Sequence, residues 1–154
     1  MPLPRIHVGE PPRSGECVFS RSYPSRIERK QAVIDEIAAE FSARQWVDEA
    51  DKIWLGLCLD EVVINAMLHG NEGDPDLEMT ISLYQDGARW VLIVTDQGDG
   101  FTADALPDID DSQSLLLEHG RGIRIMSEWL DDLVYYRQGA IAVLSRRIPV
   151  TGVP

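Results

Sequence analysis

Three short segments carry side chains whose types and spacing could do chemistry. In the largely apolar stretch from Ile53 to Asn71, Glu61 and Asn65 stand four residues apart. If the stretch is helical, at about 100° per residue, both project into the sector of Trp54, Leu57, Cys58 and Leu68. A buried carboxylate there needs a cation, a hydrogen-bonding ligand or a water to offset its desolvation. A polar pair satisfied within a core, or solvated on an imperfect face, is the competing reading. Further on, Asp96-Gln-Gly98-Asp-Gly100-Phe101 follows an apolar run. Its glycines permit a sharp turn and close approach of a ligand, although an ordinary glycine-rich turn has the same composition. Last, His119-Gly120-Arg121-Gly122-Ile123-Arg124 opens a predicted helix. Backbone N–H groups and the positive end of the helix dipole favour phosphate there, and a helix N-cap glycine explains the segment about as well.

The elements that must hold these segments follow from hydrophobic period. Residues 1–15 carry four prolines and no period, and read as a flexible arm. Glu16 to Ser22 alternates weakly and predicts a first strand, at a sheet edge. Ser25-Arg-Ile-Glu28 has capping-box spacing, and Ile27, Val33, Ile34, Ile37, Ala38 and Phe41 predict a helix to about Arg44. Asp48 or Asp51 can cap the second helix, which ends at residues 70–73 and, apolar on most of its circumference, is expected to be buried nearly all round. Leu77, Met79, Ile81 and Leu83 alternate, Asp86-Gly87 is a hairpin turn, and Trp90 to Thr95 returns as a buried strand. Residues 102–119 have no period and hold Asp104, Pro107, Asp108, Asp110 and Asp111, so they read as a long loop of a length more often functional than accidental. Residues 122–130 predict a third helix, and two strands flank a Gln138-Gly139 turn. The order gives a single α/β (α+β) domain over 16–149: a two-layer sandwich of a mixed, mostly antiparallel sheet with about three helices on one face.

Length and charge bound the rest. A chain of 154 residues can bury roughly two thirds of its unfolded surface without disulfide or metal support. Cys17 and Cys58 stand far apart with no metal-ligand spacing and read as small core hydrophobes. Trp46, Trp54, Trp90 and Trp129 read as core or interface anchors. With 14 basic and 26 acidic residues the net charge is −12, which disfavours direct binding to nucleic acid and favours a basic protein partner. No apolar run or leader pattern indicates membrane insertion or secretion, and the expected address is the cytoplasm.

Taken together and in order, the three segments resemble the nucleotide-binding boxes of the GHKL (histidine-kinase-like) ATPase superfamily. Glu61-x-x-x-Asn65-Ala66 with His69-Gly70-Asn71 resembles the N box, Asp96-x-Gly98-x-Gly100-Phe101 the G1 box, and Gly120-x-Gly122-Ile123 the G2 box, over about Ser22 to Arg147. Within the superfamily the chain is most similar to bacterial anti-sigma factor serine/threonine kinases of partner-switching systems, through its size, its short loop between boxes and Leu130-Asp-Asp-Leu-Val-Tyr135. The resemblance implies ATP and Mg²⁺ as cofactors. Asn65 would ligate the metal, and Glu61 would accept the proton of an incoming hydroxyl. Asp96 would accept from the adenine amino group, with Gly98, Gly100 and Phe101 shaping the base pocket. Gly120, Arg121, Gly122 and Ile123 would meet the phosphates under a lid of 102–119. His69 either touches phosphate or closes the helix, and closing is favoured. The implied partners are a STAS-type anti-anti-sigma protein as phosphoacceptor, an RNA polymerase sigma factor and a second copy of the chain. A non-catalytic nucleotide-sensing module and a detached histidine-kinase catalytic domain are the alternatives. Where the family has a Gly-Thr pair whose hydroxyl braces the adenine-binding carboxylate, this chain has Gly139-Ala140, which predicts a weaker hold on adenine.

Overall fold

The computed structural model describes residues 5–6, 9–12, 15–98 and 126–150. Six strands form one sheet: β1 (Arg5–Ile6), β2 (Glu16–Pro24), β3 (Glu78–Asp86), β4 (Arg89–Thr95), β5 (Asp132–Tyr136) and β6 (Ile141–Arg147), in the order β1-β5-β6-β4-β3-β2. Every neighbouring pair is antiparallel except β1 with β5. β2 is the edge strand its weak alternation predicts. The predicted hairpin joins β3 to β4 through Gly87, whose φ of 61° is the left-handed conformation glycine adopts without a Cβ penalty. Within the stretch read as a flexible arm, Arg5–Ile6 pairs with Val134–Tyr135.

Helices α1 (Lys30–Ala43) and α2 (Lys52–Ile64) lie on one sheet face, and α2 continues as a π-helical segment, Asn65–Gly70. Period-two residues meet period-3.6 residues in one core. Met79, Ile81 and Leu83 of β3, Trp90, Leu92 and Val94 of β4, and Leu133 and Leu144 pack against Ile37 and Phe41 of α1 and Leu55, Leu59, Val62 and Val63 of α2. Phe41 stands edge-on to both Trp46 and Trp90, at centroid distances of 5.3 and 4.8 Å. Of the predicted third helix, residues 126–129 are described and helical. The result is the expected two-layer α/β sandwich.

Four expectations are corrected. The rod from Lys52 to Gly70 is not buried all round: Ile53, Trp54, Leu57 and Leu68 are 75, 37, 45 and 45% exposed. By length and composition its 19 residues could cross a membrane, but its opposite face is core of the sandwich. The capping box does not form, because the Ser25 hydroxyl is buried and accepts a hydrogen bond from Asn71 at 2.7 Å. Cys17 is exposed, whereas Cys58 is in the core. Of the two candidate caps, Asp51 precedes α2 without capping it by its side chain, while Asp48 accepts the Asp51 N–H at 3.0 Å in the turn that leads into the helix. The Asp51 carboxylate instead accepts from Trp129 Nε1 at 3.2 Å and pairs with Arg146 at 3.3 Å.

Arg146 also donates to the Trp129 carbonyl at 3.0 Å and lies 4.6 Å over its ring, so one guanidinium joins β6, the start of α2 and the chain at residue 129. Arg146→Ala would leave Asp51 partly buried and short of its cation. An expected loss of about 2–3 kcal/mol follows, less than the roughly 3–5 for a fully buried pair. A lower urea midpoint at unchanged slope is the measurement that checks it.

Candidate functional site

The site begins where β4 leaves the core. Asp96 N–H donates to the Ala140 carbonyl at 2.9 Å, extending the β4–β6 ladder by one residue. Asp96 is 7% exposed, and its Oδ1 accepts the Gly98 N–H at 2.9 Å. A Cβ on Gly70 would overlap the Asp96 carboxylate, and one on Gly98 would overlap the Gly70 carbonyl oxygen. Both positions therefore require glycine, and the N-box and G1-box segments interlock through them. Burial pushes the Asp96 carboxyl from its ordinary 3.8 up to about 6, against the pull of the Gly98 N–H and the Arg137 charge. Ala140 has no hydroxyl to offer, and among the described residues the brace on Asp96 comes from its own turn, through Gly98.

Glu61 lies in the last turn of α2 and Asn65 opens the π segment. Both are half-buried and one turn apart, with the Asn65 side chain close enough to the Glu61 carboxylate to favour its charged form. Burial raises the Glu61 pKa, the Asn65 hydrogen bond opposes the rise, and the charge of Asp60 adds to it. Beyond Asn65 the helix widens: Asn71 N–H reaches back to Ala66 O at 2.9 Å, and Gly73 N–H to Met67 O at 2.8 Å. Segments of this kind occur frequently at functional sites. Here the wide turn ends with Gly70 against Asp96. The exposed Trp54 and Leu57 of α2 share the helix sector of Glu61.

The structure thus joins Glu61, Asn65, Asp96 and Gly98 along one rod and the strand end behind it. His69 is exposed in the last turn of the π segment. Gly100, Phe101, Gly120, Arg121, Gly122 and Ile123, and the lid of 102–119, lie outside the described residues. Two residues to which the sequence assigns no role of their own also stand here. Tyr135, on the inward face of β5, has a buried hydroxyl with no hydrogen-bond partner among the described residues. Burial and the Glu61 charge raise its pKa, and the nearby Asn65 side chain opposes the rise. The alternation Leu133, Tyr135 was the signal for its inward direction. Asn71 is 1% exposed with its whole amide engaged, for which no local signal exists.

This arrangement can accept a neutral N–H at Asp96 and a proton at Glu61. An amide oxygen such as that of Asn65 is a hard donor of the kind a small divalent cation takes. Among the described residues no group of three or more His, Cys, Asp or Glu could cage a metal, so such a cation would draw its other ligands from phosphate and water. The family model for the histidine kinase-like ATPase domain matches residues 23–146, within one residue of the span over which the boxes are read. No curated protein matches the chain.

Proposed function

The chain belongs to the histidine kinase-like ATPase domain family, and from that premise we propose that it is an ATP-dependent protein serine/threonine kinase and anti-sigma factor. It would act in the cytoplasm, as a homodimer, on a STAS-type antagonist and hold a sigma factor while that antagonist is phosphorylated. The observation that carries the nucleotide reading is the interlock of Gly70, Asp96 and Gly98, which sets a buried, easily protonated carboxylate beside the segment holding Glu61 and Asn65. An adenine amino group supplies the N–H such a carboxylate lacks. Asn65 would hold Mg²⁺ through its amide oxygen, and the ion would neutralise phosphate charge. Glu61 would take the proton from the attacking hydroxyl as its oxygen bonds to the γ-phosphorus and ADP departs. The kinase class rests on the short segment between the boxes, the Leu130 to Tyr135 ending and the charge of −12, which suits a protein partner over nucleic acid.

Incubation with radiolabelled ATP, Mg²⁺ and a STAS protein encoded beside it is expected to leave acid-stable label on that protein. Acid-labile label would assign a histidine-kinase catalytic domain instead. Nucleotide-dependent capture of the regulator without any transfer would assign a sensing module.

A further inference from the structure

Asn71 stands at the junction of four elements, and all of its amide is committed. Its Nδ2 donates to Ser25 Oγ at 2.7 Å, between β2 and α1, and to the Glu78 carbonyl at 3.0 Å, at the start of β3. Its Oδ1 accepts the backbone N–H of Gln97 at 2.8 Å, one residue beyond Asp96. The Gln97 side chain returns the tie, its Oε1 accepting the Glu78 N–H at 2.6 Å. The turn that carries Asp96 and Gly98 is thereby fixed at its backbone to Asn71, which follows the π segment and is itself 1% exposed.

The direction of the Asp96 carboxylate depends on that turn. Among the described residues it receives a hydrogen bond from the Gly98 N–H, and Ala140 supplies only a backbone carbonyl to the Asp96 N–H. A displacement of Gln97 moves Gly98 with it, and the Gly98 N–H is what aims the carboxylate. We propose that Asn71 is the positioning residue for base recognition, acting through the Gln97 backbone to hold Asp96 on the 6-amino group of adenine. The inference rests on the adenine reading of Asp96 given above. It gives Asn71 the aiming task for which Ala140 has no side-chain donor.

The test compares ATP with purine riboside 5′-triphosphate, the same molecule without the 6-amino group, by calorimetry on the full chain with Mg²⁺. The wild type prefers ATP. Asn71→Ala lowers ATP affinity about tenfold, the worth of one well-aimed hydrogen bond to a charged group, and leaves the affinity for the desamino analogue within about twofold. Asn71→Ser, which also cannot reach Gln97, gives the same pattern and serves if the alanine variant does not fold. Equal losses for both nucleotides, or none, would overturn the inference and leave Asn71 a purely structural residue. A wild type that binds both nucleotides equally would overturn the adenine reading itself, and the inference with it.

Discussion

Asp96→Asn is expected to make the protein more stable at neutral pH while depriving it of its hold on adenine. Asp96 is 7% exposed and its carboxyl is raised from 3.8 to about 6, so ionised Asp96 costs the native state about 3 kcal/mol at pH 7 and above. The sign follows from proton binding. Between these two values the native state binds more protons than the unfolded chain, so the stabilisation from protonated Asp96 is complete below its unfolded value and lost as pH rises through about 6. An uncharged amide escapes the cost but must house an additional N–H, and about 1–2 kcal/mol should be recovered at pH 8. Urea unfolding at pH 8 and at pH 4 should show the gain at the first and almost none at the second. The same substitution turns an acceptor into a donor facing the adenine amino group, and ATP affinity should fall about 100-fold. Undiminished ATP binding by a well-folded variant would remove adenine from Asp96.

A carboxylate retained at such a cost distinguishes what one-dimensional pattern can and cannot reveal. The alternation of Leu77 to Leu83, the Asp86-Gly87 turn and the helical spacing of Val33 to Phe41 act over neighbouring residues, and each element appears where its period places it. The nodes do not. Ser25 has capping-box spacing with Glu28, yet its hydroxyl is taken by Asn71, 46 residues away. Asp51 precedes α2 as a cap would, yet Arg146 and Trp129 claim its carboxylate. Two residues near the start pair with a strand more than a hundred residues on. The burial of α2 was overestimated for a related reason: counting apolar residues cannot separate a core face from an apolar wall that borders a site. Trp54 and Leu57 form such a wall in the sector of Glu61. Of the site, the chemical types and spacings were legible, because the boxes are short and contiguous. The interlock of Gly70 with Asp96 was not, because it depends on the π register after Asn65, which leaves no period in the sequence.

Replacing Glu61 with glutamine should separate binding from chemistry. The amide has the shape of the carboxylate and keeps a hydrogen-bonding oxygen beside Asn65, so ATP affinity should change by less than about threefold. It cannot accept a proton, and a positioned general base is worth roughly 10²–10⁴ in rate. Phosphate transfer in single turnover should therefore fall by about that factor with binding intact, the mark of a group that acts only in the transition state. The pH profile gives an independent check. Burial and the Asp60 charge raise the Glu61 pKa, so the acid limb of the wild-type rate should lie above the ordinary carboxylate range, and in Glu61→Gln that limb should disappear from the residual rate. If the rate survives the substitution and the limb remains, the proton goes elsewhere, and the loose transition state of phosphoryl transfer then needs positioning more than it needs a base. Asn65→Ala distinguishes that case: with Glu61 dispensable it should still abolish Mg²⁺-dependent ATP binding, because a hard cation has lost its amide oxygen.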